Sequence, residues 1–239
     1  MLFIIFLSMN KFSFCAFLCA ACILSACGDG LSNDKSSSKV MPKSDSSNKS
    51  VASSSTSVSS IAQKNVDPST VTKGSTRDSR DGQSYKTVTI GSQTWMAQNL
   101  NYKSANSHCY KDKASNCTKY GRLYTWDAAT TACPSGWHLP TKAEFEMLVA
   151  AVGGESTAGI KLKSTRGWRN SDNGTDDYSF SALPAVYKNF NEGFFAFFWS
   201  STEYSDDNAY YMKLFYDYDG VSLYYDDKSV LRSVRCVKD

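Results

Sequence analysis

"CPSGWHLPTKAEFEMLV", residues 133–149, decides how the fold is read. It opens with a cysteine, two prolines, a glycine, a tryptophan and a histidine, and then turns amphipathic. Thr141 is followed three residues later by Glu144, the capping-box spacing that starts a helix. Phe145, Leu148, Val149 and Val152 then recur at i, i+3, i+4 and i+7 on one helical face. Gly153-Gly154 supplies the stop. The preceding GWHLPT segment therefore delivers the chain into a helix N-terminus. Trp137 and Leu139 should plug the core beneath that entry, leaving His138 exposed or structurally bonded. The other histidine, His108, stands thirty residues upstream, and no third metal ligand accompanies the pair.

Working outward, "YKTVTIGSQTWM" (85–96) reads as a hairpin with Gly91-Ser92 as a two-residue turn. "YTWDAATTAC" (124–133) reads as a short alanine-rich helix that stops at Pro134. Residues 166–185 read as loops. "FFAFFWSS" (194–201) is a nearly continuous apolar run suited to a central strand. "AYYMKLF" (209–215), "GVSLYYD" (220–226) and "SVRCVK" (233–238) have strand composition and turn-like separators. Two short helices and an antiparallel sheet make the fold class α+β.

The N-terminal third reads differently. Residues 1–26 place Lys11 before the apolar run FSFCAFLCAACILSA, the pattern of an export signal. The run is shorter than the ~20 residues that a spanning helix needs. Its end, Leu24-Ser25-Ala26-Cys27, resembles a bacterial lipobox, which implies cleavage before Cys27 and acylation of that cysteine. Residues 27–80 are dominated by serine and hold almost no large apolar side chains, so they are expected to form a disordered linker. Residues 81–239 are long enough for one globular core. The expected setting is the bacterial cell envelope, lipid-anchored at the outer membrane or cell surface, with the membrane as a partner.

Of eight cysteines, three fall in the signal and Cys27 in the lipobox, leaving Cys109, Cys117, Cys133 and Cys236. An even number in an exported domain argues for disulfides, with three connectivities available. The favoured set is Cys109–Cys117, closing the polar loop CYKDKASNC, with Cys133–Cys236, tying an early helix to the last strand. Zinc is the competing use, but there is no CxxC pair.

The net charge of +3 resides in the linker. Within Glu203–Asp227 seven acids face Lys213 alone, and no basic patch exists elsewhere. A polyanion such as DNA needs clustered positive charge, so nucleic acid is excluded as a partner.

"DGQSYKTVTIGSQTWMAQNLNY" (81–102), "YGRLYTWDAATTACPSGWHLPTKAEFEML" (120–148), "FSALPA" (180–185), "FWSSTE" (198–203) and "SVRCVKD" (233–239) together resemble the Fibrobacter succinogenes major paralogous domain. More remotely, GWHLPTKAEFE is similar to the RLPTEAEWE segment of the formylglycine-generating enzyme and of other C-type-lectin-like folds. That resemblance implies a C-type-lectin-like α+β domain, and it implies a bridge from the first helix to the last strand. His138 stands where the enzyme family has arginine. The tail SVRCVKD has no second nearby cysteine, so the enzyme's catalytic cysteine pair is not reproduced.

No GxSxG, HExxH or Walker sequence occurs, and a non-enzymatic role is expected. No cofactor is expected, with calcium as the candidate exception. Asp172, Asn173, Asp176 and Asp177 offer oxygen donors around a glycine turn. The EF-hand spacing is missing. The candidate ligand-binding surface is formed by Tyr204, Tyr210, Tyr211, Tyr216, Tyr218, Tyr224 and Tyr225, interleaved with acids. Neighbouring residues on a strand face opposite ways, so about half of these rings should lie outside. Flat rings with polar tips suit polysaccharide, and they suit a surface protein as well. The expected function is non-catalytic binding of polysaccharide at the cell surface. The alternative is a protein-interaction or adhesin module, ahead of an enzyme.

Overall fold

The computed structural model describes residues 65–185 and 192–239. The signal segment, Cys27 and the linker as far as residue 64 lie outside the described residues. In chain order the elements are β1 (Thr72–Arg77), β2 (Ser84–Ile90), β3 (Gln93–Met96), β4 (Ser107–Cys109), α1 (Ala114–Tyr120), β5 (Arg122–Tyr124), α2 (Trp126–Thr130), β6 (Trp137–His138), α3 (Lys142–Ala151) and α4 (Ala158–Leu162). Then come β7 (Phe195–Glu203), β8 (Asn208–Phe215), β9 (Val221–Asp227), β10 (Arg232–Ser233) and β11 (Val237–Lys238). No helix among the described residues is long and apolar enough to cross a membrane.

The fold is α+β, built on two sheets. One runs β1-β2-β3-β11-β6 and the other β4-β5-β10-β7-β8-β9. The hairpin expected over 85–96 is present, with Ile90 paired to Gln93 across a two-residue turn. Gly91 sits there at φ 61°, a conformation that glycine adopts without a Cβ clash. The helix at the GWHLPT segment is also present. Thr141 accepts from the backbone of Glu144, and the Glu144 carboxylate accepts from the backbone of Thr141. Phe145, Leu148, Val149 and Val152 are all buried on its inner face. Trp95 stacks on Phe145 with ring centroids 5.4 Å apart, so the hairpin and α3 share one core. Leu139 is buried as the plug beneath the helix entry.

Four expectations need correction. First, β1 lies within the stretch read as linker. Its side chains are almost all exposed, so its polar composition costs nothing, and its backbone is satisfied by antiparallel pairing with β2 from Thr72↔Thr89 to Arg77↔Ser84. Second, residues 233–238 are not one strand. β10 pairs with β5 and β7, whereas β11 pairs with β3 and β6 in the other sheet. The chain crosses between the sheets at Val234–Cys236, where Leu100 N–H donates to the Val234 carbonyl and Met96 N–H to that of Cys236. Third, the larger sheet is mixed, because β10 and β7 run parallel. Fourth, α1 and α4 add to the two helices read from sequence. Both are too short to show an apolar period, and α1 begins inside the loop closed by Cys109 and Cys117 and runs on to Tyr120.

Both disulfides follow the favoured connectivity, Cys109–Cys117 and Cys133–Cys236, with sequence separations of 8 and 103. On the chain-entropy model the longer loop contributes about 4.7 kcal/mol and the shorter about 2.5 kcal/mol. Replacing Cys133 and Cys236 with alanine should therefore lower the denaturant midpoint about twice as far as replacing Cys109 and Cys117. Urea titration of the two double variants measures this.

Candidate functional site

The register of β8 and β9 sets where the tyrosines go. Tyr210 faces Tyr225 and Tyr211 faces Tyr224 across the pairing, so the two rows emerge on opposite faces. β9 is the edge strand of its sheet, and rings from both faces meet at that edge. Tyr204, in the turn after β7, lies flat on Tyr225 with centroids 3.6 Å apart and planes inclined by 5°. Tyr224 is inclined by only 15° to Tyr225 at 5.8 Å, giving three nearly parallel rings. Tyr210 meets Tyr204 edge-on at 5.6 Å. Tyr204, Tyr224 and Tyr225 are 50%, 59% and 41% exposed, high values for rings of this size.

The other candidate tyrosines are elsewhere. Tyr211 is buried, and the Arg232 guanidinium lies over its ring at 3.6 Å. Tyr216 is packed edge-on against Phe194 and Phe215. Tyr218 is exposed, but it belongs to the β8–β9 turn. That turn is fixed from below. The buried Lys163 ammonium donates to the carbonyls of Phe215, Tyr216 and Tyr218, and burial lowers its pKa. A Cβ on Gly159 would sit 2.1 Å from the Gly220 carbonyl oxygen, so α4 meets the turn backbone to backbone.

Two lysines that the sequence reading passed over hold the tyrosine edge. Lys228 donates to Glu203 at 3.0 Å and to the Asp206 carbonyl at 2.7 Å, with its ammonium 4.5 Å from the Trp126 ring centroid. It thereby braces the turn that carries Tyr204 against α2. Lys142, at the start of α3, lies 5.5 Å from the Tyr210 ring. Neither role is legible locally, since each lysine reaches its partners only through tertiary contact.

The acidic loop does not converge. Asp176 accepts from the Ser181 backbone at 2.6 Å and from its hydroxyl at 2.5 Å. Asn173 accepts from the Trp168 backbone, while Asp172 faces a recess that it shares with Asp217 and Asp219. Asp177 lines neither that recess nor the cleft beside Asp176. Among the described residues no group of three or more His, Cys, Asp or Glu side chains could hold a metal ion.

His138 is structurally bonded. In β6 its Nδ1 lies 2.6 Å from Asp239 Oδ1 and its Nε2 lies 2.8 Å from Glu144 Oε1. Both ring nitrogens face carboxylates, so neither is left to act as a base. Cys109 is in a disulfide and offers no thiol beside His108.

The family model of the Fibrobacter succinogenes major domain matches residues 88–238. The chain belongs to this family. No curated protein and no solved structure matches the chain. The C-type-lectin-like likeness therefore rests on the sequence around GWHLPT alone. In this Fibrobacter succinogenes major domain the matched stretch begins inside β2, and β1 lies ahead of it. The tyrosine edge and the His138 clamp both lie within the matched stretch.

The clamp has a defined pH window. Desolvation pulls the His138 pKa down, but the hydrogen bonds its ring donates to Asp239 and Glu144 outweigh it, and the pKa is raised from 6.5. For Glu144, desolvation is outweighed by bonds from Thr141 and His138, and its pKa is lowered from 4.5. The histidine's contribution is complete below pH 6.5 and is lost as pH rises through its raised pKa; that of Glu144 is complete above pH 4.5 and is lost as pH falls through its lowered pKa. The clamp should thus stabilise the fold most between pH 4.5 and 6.5. Thermal melts of the wild type and H138Q should differ most in that interval and converge at alkaline pH.

Proposed function

We propose that this chain is a lipid-anchored protein of the bacterial cell envelope, displayed at the outer membrane or cell surface on its serine-rich linker. Its domain binds polysaccharide without catalysing a reaction, at the edge formed by Tyr204, Tyr210, Tyr224 and Tyr225. The near-parallel, exposed set of Tyr204, Tyr224 and Tyr225 carries this reading. Tyr204 and Tyr225 cover each other's inner sides, and the outer faces and hydroxyl tips of the half-exposed set match the faces and edges of pyranose rings. The scaffold is preorganised, because the rings sit on paired strands and on a turn braced by Lys228. Binding then costs little ordering entropy. Around the rings stand Glu203, Asp206, Asp207, Asp226 and Asp227, so a neutral polysaccharide fits better than a polyanion.

A second reading is a protein-interaction or adhesin module. The observation favouring it is a small apolar groove of about 190 Å³ between α3 and β9, lined by Val149, Ala150, Val221 and Leu223. Met147, 40% exposed on α3, adds to the apolar surface.

The test is binding of the oxidised protein to immobilised neutral polysaccharides, with calcium and again with chelator. Saturable binding should appear in both arms, since the polysaccharide contact is proposed to need no metal. Y204A, Y224A and Y225A should each weaken it by about 1 kcal/mol, roughly fivefold in Kd. Absence of binding to any polysaccharide, with capture of one protein partner that M147D abolishes at an unchanged melting temperature, would replace the first reading with the second.

A further inference from the structure

We propose that a second cleft, sharing no residue with the tyrosine edge, is a binding site for a carboxylate-bearing sugar. The cleft has a volume of about 480 Å³, within the range of small-molecule sites. It is walled by the start of β2, the segment after β3, the end of α1 and the loop that follows α4.

Its floor is positively charged from within. Arg235 is fully buried behind two wall residues, Asn99 and Ser181. Its Nε donates to Asn99 Oδ1 at 2.7 Å, and its Nη2 donates to the Ser181 carbonyl at 2.9 Å. Its Nη1 donates to the carbonyls of Met96 and Phe180. All of these acceptors are neutral, so the guanidinium charge is solvated by dipoles rather than cancelled by a bonded carboxylate. Burial brings its pKa down to about 9, which leaves it charged at neutral pH. In a poorly solvated interior such a charge acts over several ångströms and favours an anion in the adjoining space.

The rim adds to this field. Lys86 and Arg166 line the cleft, and among the described residues neither has an acidic partner. Lys119 does not add to them, since Glu192 accepts from its ammonium at 2.7 Å. The acid in the lining, Asp176, accepts from Ser181, and its charge acts on Arg235 rather than on the cations of the rim. The cleft therefore presents at its mouth two cations that have no acidic partner among the described residues, above a buried arginine whose charge Asp176 offsets in part.

The neutral part of the lining decides what else the ligand carries. Gln83, Asn101 and Thr165 line the cleft, and their side chains make no hydrogen bond among the described residues. Gln98 uses its carbonyl oxygen to accept from the Lys86 backbone, leaving its amide donors free. Amides and hydroxyls at the mouth call for a ligand edged with hydroxyls rather than hydrocarbon. Arg166 can take a carboxylate through paired N–H donors, and Lys86 supplies a second point charge. A sugar acid satisfies both halves of the site. This inference stands independently of the tyrosine reading, because the surface around those rings is acidic and this cleft is cationic.

The experiment is calorimetric titration of the full-length protein with trigalacturonic acid, its methyl triester, a neutral glucose trimer and inorganic phosphate. The acid should bind saturably, with the ester and the glucose trimer at least about tenfold weaker, the loss expected for a hydrogen-bonded charge. R166Q and K86Q change exposed side chains, so each should keep the wild-type melting temperature while weakening acid binding about tenfold. The Y204A/Y225A double variant should bind the acid unchanged, which separates this site from the tyrosine edge. The proposal is overturned if the ester binds as tightly as the acid or if R166Q and K86Q bind like wild type. It is also overturned if phosphate binds as tightly as the sugar acid, since the cleft would then recognise charge without the sugar.

Discussion

The short run from Arg232 to Lys238 ties both sheets together, and its placement is what the rest of the domain depends on. β10 closes the larger sheet by sitting between β5 and β7, and β11 closes the smaller one between β3 and β6. Between them Arg235 points into the interior and Cys236 is bonded to Cys133. Three kinds of constraint thus act within seven residues: backbone pairing, a covalent bridge and a buried charge held by carbonyls. Moving the segment by one residue would exchange the faces of both short strands and expel Arg235 from its acceptors. The GWHLPT segment is the counterpart of this crossing. It supplies the partner strand of β11, the bonded histidine and the cap of α3 in close succession.

Much of this was legible because it is local. The hairpin over 85–96 needed only alternation and a Gly-Ser turn, and α3 needed only its cap and its apolar face. The disulfide pairing could be favoured because four cysteines allow few arrangements. What was missed depended on long-range pairing. β1 has the composition of a linker and becomes a strand only because the β2 edge offers partners. The division of 233–238 between sheets has no local marker, since Ser233 through Lys238 reads as an ordinary strand until its neighbours are known. The tyrosines were found as a class, but their grouping depended on the registers Tyr210↔Tyr225 and Tyr211↔Tyr224 and on a turn that brings Tyr204 over the edge. Arg235 in SVRCVK carries no sequence sign that it would lie within the interior.

Charge is arranged with the same economy. The acidic stretch 203–227 is offset at one point by Lys228, which links an acid, a carbonyl and an aromatic face. Arg232, buried beside Tyr211 and paired with Asp226, does the same on the opposite face of the strand. Positive charge inside this domain is thus structural at Lys163, Arg232 and Arg235.

The separation between Cys133 and Cys236 also favours an order of closure. Cys109 finds its partner eight residues on, whereas Cys133 must find one 103 positions later. Closing the longer loop costs roughly 2 kcal/mol more chain entropy, from the (3/2)RT ln n scaling. The Cys109–Cys117 ring is therefore the easier of the two to close in an unfolded chain. Once closed it leaves Cys133 and Cys236 as partners for each other, so the spacing of the cysteines itself favours the native pairing.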